Sequence, residues 1–243
     1  MDNELTLKYI GRVYTDFGEK FGVPRQPGRV PGLTGKIIFE PEFRVPAAFS
    51  GLETFSHIWV LFDFSLAHRE KWSPTVRPPR LGGNRHAGVF ATRSPFRPNP
   101  VGLSVLKLDR IETDPELGAV LYVSGVDMVS GTPVLDIKPY LPYADSIDGA
   151  TGGFTDELKD RLLEVRFPEG EAAKLPYEVR ARLEAVLSLD PRPSYHEDPG
   201  RIYGMNFAGY EVRFNVEGER VTVLGIIVPD GTGSGGNNEV DGE

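Results

Sequence analysis

From position 72 to position 107 the chain reads WSPTVRPPRLGGNRHAGVFATRSPFRPNPVGLSVLK, with prolines at 74, 78, 79, 95, 98 and 100. Proline removes a backbone donor, fixes φ and pushes the residue before it out of the helical region. Neither a helix nor a central strand can run through residues 74–100, so this span must be loop, and a stiff one. It is also free of acid. Between Glu70 and Asp109 there is no Asp or Glu, while Lys71, Arg77, Arg80, Arg85, Arg93, Arg97 and Lys107 are present. The chain as a whole carries −8, yet residues 69–110 hold nine Lys/Arg against two Asp/Glu, a net of +7 that leaves −15 for the remainder. One concentrated basic surface on an acidic protein steers anions to a single place. The same count is also met by arginines scattered over a solvated face, so charge alone does not choose.

The flanks of this loop read as strands. Alternating or β-branched runs occur at 5–14, 33–40, 57–64, 102–111, 118–128 and 134–138, and the HIWVLFDF run at 57–64 predicts a strand buried on both faces. Asp114-Pro115-Glu116-Leu117-Gly118 has hairpin-turn chemistry, and residues 17–32 form a second Pro/Gly/Arg cluster. Six or seven short strands without a long amphipathic helix predict a mainly β unit over 1–150, an antiparallel barrel or sandwich. After Gly152-Gly153 the texture changes. Phe154, Leu158, Leu162 and Val165 predict a helix capped by Thr155, and Pro176 to Ser188 predicts a second. The DPRPSY run at 190–195 breaks the pattern, and alternation over 210–216 predicts a strand paired with 221–228. A small α+β C-terminal domain over 151–229 and a disordered tail over 230–243 follow.

Several chemistries are excluded. Cysteine is absent, which removes disulfides and thiolate sites. The four histidines show no metal-ligand spacing, so no metal is expected. There is no Gly-x-Gly-x-x-Gly after a strand, no Walker A motif and no nucleophile elbow. MDNELTLKYIG lacks the features of a targeting segment and no apolar run reaches membrane length, so a cytoplasmic protein is expected. What remains are polar clusters at strand ends: Arg25 to Gly28, Arg80 to Asn84, Thr92 to Pro100, Ser124 to Asp127 and Asp136 to Lys138. Each alone is ordinary turn punctuation. Together they suggest a composite site whose carboxylates, Asp127 and Asp136, suit ribose hydroxyls or an ammonium group; the pattern does not name the ligand.

The residues themselves go further. KFGVPRQPG (20–28), GLETFSHIWVLFDF (51–64), VRPPRLGGN (76–84), GVFATRSPFRPNPVGLS (88–104), GTPVLDIKPYLPYADS (131–146) and the later DPRPSY closely resemble the TrmO family, also called TsaA-like or YaeB-like. The resemblance covers nearly all of residues 5–228. It implies a single-sheeted antiparallel β-barrel and S-adenosylmethionine-dependent methylation of N6 of N6-threonylcarbamoyladenosine at tRNA position 37, beside the anticodon. It also implies a homodimer with the cofactor near the subunit interface. Carried over by motif, the cofactor contacts are Pro27, Gly28, Arg29, Ser65, Leu66, Arg93, Leu103, Ser124, Gly125, Val126 and Asp127. Ser65 departs from the family pattern, where many relatives carry histidine, and Ser130 stands where relatives often have aspartate.

The methyl donor is already electrophilic, so the protein needs to bind, align and manage charge. Asp136 and Tyr140 are candidates to take the proton of a urea-like nitrogen, with Lys138 orienting the threonyl carboxylate. The opposite reading is that Asp136 and Lys138 only pair with each other. Arg77, Arg80, Arg85 and Arg97 are the candidate contacts to the anticodon stem-loop, Arg85 and Arg97 also matching a carboxylate. Two rivals remain open: a methyltransferase acting on another modified nucleoside or small molecule, and a non-catalytic RNA-binding barrel.

Overall fold

The computed structural model describes residues 4–30, 32–78, 85–156, 162–192, 198 and 200–228. Six strands close into an antiparallel barrel: β1 (Gly11–Thr15), β2 (Thr34–Phe39), β3 (His57–Asp63), β6 (Val101–Asp114), β7 (Gly118–Ser124) and β8 (Thr132–Pro139), in the order β1-β2-β7-β6-β3-β8. A short ladder, β4 (Thr75–Val76) with β5 (Ala87–Gly88), lies within the proline-rich stretch. Alternation decides the barrel wall. Ile58, Val60 and Phe62 of β3 are buried, as are Leu106 and Leu108 of β6 and Leu121 and Val123 of β7. His57, Trp59 and Leu61 lie on the outer side and are only half-buried. The run HIWVLFDF is therefore covered on one face, not two, because among the described residues no second layer packs over the outside of the barrel at this point.

Strand ends place the loops. In this topology the connections 16–33, 64–100 and 125–131 all leave the same end of the barrel, the C-terminal ends of β1, β3 and β7. All three lie in or beside the Pro/Gly-rich polar clusters. The first strand begins at Gly11 and not at Leu5; Leu5 and Leu7 are exposed, since the β2 ladder ends where Phe39 meets Gly11.

The C-terminal region is α+β. Its sheet runs β10 (Tyr203–Phe207), β11 (Tyr210–Glu217), β12 (Arg220–Ile227), β9 (Glu164–Arg166), with β9 parallel to β12. After the four-residue helices α1 (Pro142–Asp145) and α2 (Glu169–Ala172), α3 (Tyr177–Ser188) follows Pro176 and buries Leu183, Val186 and Leu187. The predicted helix does not extend through Val165: a 3-10 turn spans Gly153–Thr155, and Val165 pairs with Val221 in β9. A β-branched residue beside an open sheet edge gains ladder hydrogen bonds and packing there that favour a strand over a helix end. Positions 157–161 and the expected tail at 230–243 lie outside the described residues.

The barrel and the C-terminal sheet share one continuous core. Phe17 packs edge-on to Phe207 with centroids 5.4 Å apart, and Phe21 stacks on Tyr203 and Phe214. The Ala208 N–H donates to the Asp16 carbonyl, 2.8 Å, and Arg182 of α3 pairs with Asp16 at 3.1 Å. Residues 16–23 thus form the seam between barrel and sheet.

Candidate active site

Three loops meet at the barrel mouth. Gly28 and Gly125 both have left-handed backbones, φ 71° and 80°, and the Gly28 N–H donates to the Gly125 carbonyl, 2.9 Å. A Cβ on Gly125 would lie 3.2 Å from Gly28, whereas a Cβ on Gly28 would meet open space. Glycine is required at Gly125 by both conformation and contact, and Gly28 leaves a bare backbone facing the mouth. The Gly125 N–H is held by the Leu33 carbonyl, 2.8 Å, which fixes the turn into residues 126–127.

That turn delivers Asp127. Ser104 points into the barrel because it pairs with inward-facing Val60, and its hydroxyl donates to Asp127 Oδ1 at 2.8 Å. Burial pushes the Asp127 carboxyl up from 3.8 to about 6, while the Ser104 hydrogen bond and the Arg93 guanidinium pull the other way. Arg93 itself donates to Gln26 Oε1 at 2.6 Å, linking the loop at 92–100 to the loop at 25–29. A carboxylate held largely out of water, with a hydroxyl donor and a nearby cation, is a group that a ligand can satisfy.

The other expected cofactor residues are distributed around this centre. Val126 is buried in the core. Ser124 turns its hydroxyl to Asp109 on the barrel exterior. Arg29 lines a cavity of about 30 Å³ against α3, together with Val186 and Asp190. Pro27 sits between Gln26 and the Gly28 turn, half-exposed. Ser65 and Leu66 form an exposed turn after β3, where Lys20 donates to the Leu66 carbonyl. Leu103 is half-exposed on the outer wall opposite Leu61, on the other side of the strand from Ser104.

The catalytic candidates share that outer wall. Asp136 pairs with Leu61 and Lys138 with Trp59, so they lie in the same rows as Leu103 and Val105. Asp136 and Lys138 form an ion pair at 2.8 Å, and Asp136 Oδ1 also accepts from the Ile137 N–H at 2.9 Å. The Tyr140 ring stands 5.8 Å from Trp59, whose indole N–H donates to Asp145 at 3.0 Å. Of the basic candidates, Arg77 and Arg85 belong to the β4–β5 hairpin, and Arg97 donates to the Thr92 carbonyl at 3.2 Å; Arg80 lies outside the described residues.

One polar cluster is not among the sequence candidates. Asp63, 6% exposed at the end of β3, accepts from the Tyr9 hydroxyl at 2.7 Å and from His68 Nε2 at 2.6 Å. The Tyr9 pKa is held above its usual 10, first by that hydrogen bond and then by burial. Asp63 sits just before the Ser65-Leu66 turn. The aspartate within an otherwise apolar strand was the only local signal, and its partner Tyr9 is 54 positions away.

Residues 12–146 match the sequence model of the tRNA-methyltransferase O N-terminal domain, and residues 154–228 that of the TrmO C-terminal domain. The chain is 41% identical over 218 residues to the tRNA (adenine(37)-N6)-methyltransferase of Escherichia coli (strain K12), covering 86% of this chain and 92% of that one. It is 49% identical over 179 residues to the enzyme of the same name from Eikenella corrodens, covering 73% and 100%. The crystal structure of TrmO from Pseudomonas aeruginosa superimposes with a TM-score of 0.73 at 34% identity, over 92% of this chain and 99% of that one. With two consecutive family domains matched and the same barrel in a solved relative, this chain belongs to the TrmO family.

Proposed function

We propose that this chain is an S-adenosylmethionine-dependent methyltransferase that acts on N6 of adenine 37 of tRNA, with N6-threonylcarbamoyladenosine as the modified base it recognises. The observation that carries the reading is the convergence of Gly28, Gly125, Asp127 and Arg93 at the barrel mouth, directly beside the acid-free basic loop. The residues fit the cofactor. A half-buried carboxylate with a raised pKa is suited to cationic and hydroxyl groups, and the bare backbone of Gly28 leaves room for a ligand to approach. When bound, the cofactor supplies a methyl group on a sulfonium centre.

The chain's own residues then have three tasks. Asp127, braced by Ser104, holds a hydroxyl or cationic group while Arg93 and Gln26 tie the two flanking loops in place. Lys138 holds the threonyl carboxylate, which loosens its pairing with Asp136 and frees Asp136 Oδ2 to take the proton that leaves N6. Tyr140, set against Trp59, flanks that pair. Asp127 and Asp136 stand on opposite sides of the barrel wall, and the apolar residues beside Asp136, Leu61 and Leu103, stay partly exposed in the single chain. A homodimer that lays one copy's outer wall over the other's mouth supports a complete site, in a cytoplasmic enzyme that uses no metal.

The test is nucleoside mass analysis of tRNA after incubation with the protein and S-adenosylmethionine, using tRNA with and without the threonylcarbamoyl group. A gain of about 14 daltons restricted to the modified tRNA is expected. Equal transfer to both substrates overturns the substrate assignment, and no transfer to either overturns the activity.

A further inference from the structure

An exposed aromatic pair lies outside everything assigned so far. Trp72 and Phe90 are 52% and 75% exposed, and their ring centroids stand 6.3 Å apart at an interplanar angle of 33°. A single exposed aromatic is ordinary on a protein surface; two in contact on a braced support are less so. The support is the β4–β5 hairpin, where Thr75 pairs with Gly88 and Val76 with Ala87, and the Val89 N–H donates to the Pro74 carbonyl at 2.9 Å. Val89 is buried and opens a 3-10 turn, so the next residue, Phe90, is turned outward as Val89 is anchored. His86 braces the same hairpin by accepting from Arg77 Nε at 3.1 Å.

The surroundings select the partner. Lys71, Arg77 and Arg85 lie on or beside this hairpin with the aromatic pair, and no carboxylate occurs between Glu70 and Asp109. An aromatic pair on a basic, acid-free stretch is the combination that single-stranded nucleic acid meets favourably, phosphates on the cations and base faces on the rings. We infer that Trp72 and Phe90 form a stacking platform for an unpaired base of the tRNA anticodon loop next to the methylated adenine. The inference rests on the tRNA reading above and extends it to the residues that hold the loop open. Because the platform is held by proline and a β-ladder, little is lost in ordering it when a base arrives.

The experiment is equilibrium binding of the full chain to a 17-nucleotide anticodon stem-loop, read by tryptophan fluorescence and by filter retention across salt. Trp72 is one of only two tryptophans, so quenching that disappears in Trp72→Phe is assigned to it. Phe90→Leu is expected to weaken binding about tenfold, in line with loss of one stacked base, with an unchanged salt slope because no phosphate contact is removed. Phe90→Tyr, which keeps the ring, is expected to bind as the parent does. An RNA duplex of equal length is expected to quench weakly. Equal quenching by duplex, or Phe90→Leu binding the stem-loop as the parent does, overturns the stacking role while leaving the tRNA reading intact. Failure of the parent to bind the stem-loop overturns both. If Phe90→Leu instead alters the sedimentation of the free protein, the pair belongs to a contact between copies and the proposal falls.

Discussion

Replacing Asp127 by asparagine gives the sharpest test of the site, because burial sets the direction of the effect and its order of magnitude. The carboxyl titrates at about 6 in the folded chain against 3.8 as its ordinary value, with burial as the main cause. A folded-state pKa above the unfolded one means that the native chain holds the proton more tightly. The corresponding stability is complete below pH 4 and is lost as pH rises through 6. The gap of about two pH units corresponds to about 3 kcal/mol of stability given up by pH 7. A carboxamide in this place cannot ionise, so the stability of Asp127→Asn relative to the parent should climb by about 2 kcal/mol between pH 4 and pH 7. Urea unfolding midpoints of both proteins at pH 4, 5, 6 and 7 measure this. Taking the difference matters. Asp109, Glu112, Asp114 and Glu171 have lowered pKa values, so the parent gains stability from them as pH rises, and only the difference curve removes their contribution. A ligand that brings positive charge to Asp127 reverses the preference. Affinity for S-adenosylmethionine should then rise from pH 5 to pH 7 in the parent, by at most about tenfold, and stay flat in Asp127→Asn. Parallel unfolding curves for the two proteins would refute the account of Asp127 as a desolvated, ligand-seeking carboxylate.

Three further outcomes follow from packing. Gly125→Ala places a side chain at φ 80° and 3.2 Å from Gly28, so it should cost at least about 1 kcal/mol and weaken cofactor binding in calorimetry more than it lowers the melting temperature. Gly102→Ala puts a Cβ 2.2 Å from the Phe62 ring inside the barrel and should cost about 1–3 kcal/mol in urea unfolding; no loss would mean that Phe62 repacks freely. Phe17→Ala empties the seam against Phe207 and should cost about 3–5 kcal/mol, whereas a loss under about 1 kcal/mol would show that barrel and sheet do not share a core.

The strands were legible because alternation is local. In β11 every second residue from Val212 to Val216 is buried, as its sequence predicts, and the helix after Pro176 begins and ends as its pattern implies. β10 was missed, since the sequence of Tyr203–Phe207 places Gly204 and Asn206 between its buried residues and reads as turn-like. At Val165 the helical reading fails for the converse reason: the spacing is helical, but the open edge of β12 offers residues 164–166 a ladder.

The sequence by itself determined which residues could carry chemistry and where the chain must be loop, because proline, glycine and the absence of acid act over a few positions. Closure of the barrel decided the rest. It gathered loops beginning at residues 16, 64 and 125 at one end, set Ser104 inside the wall and Leu103 outside it, and desolvated the Asp127 carboxyl enough to raise its pKa. Burial and sidedness depend on what lies across the sheet, and no spacing along the chain contains that information.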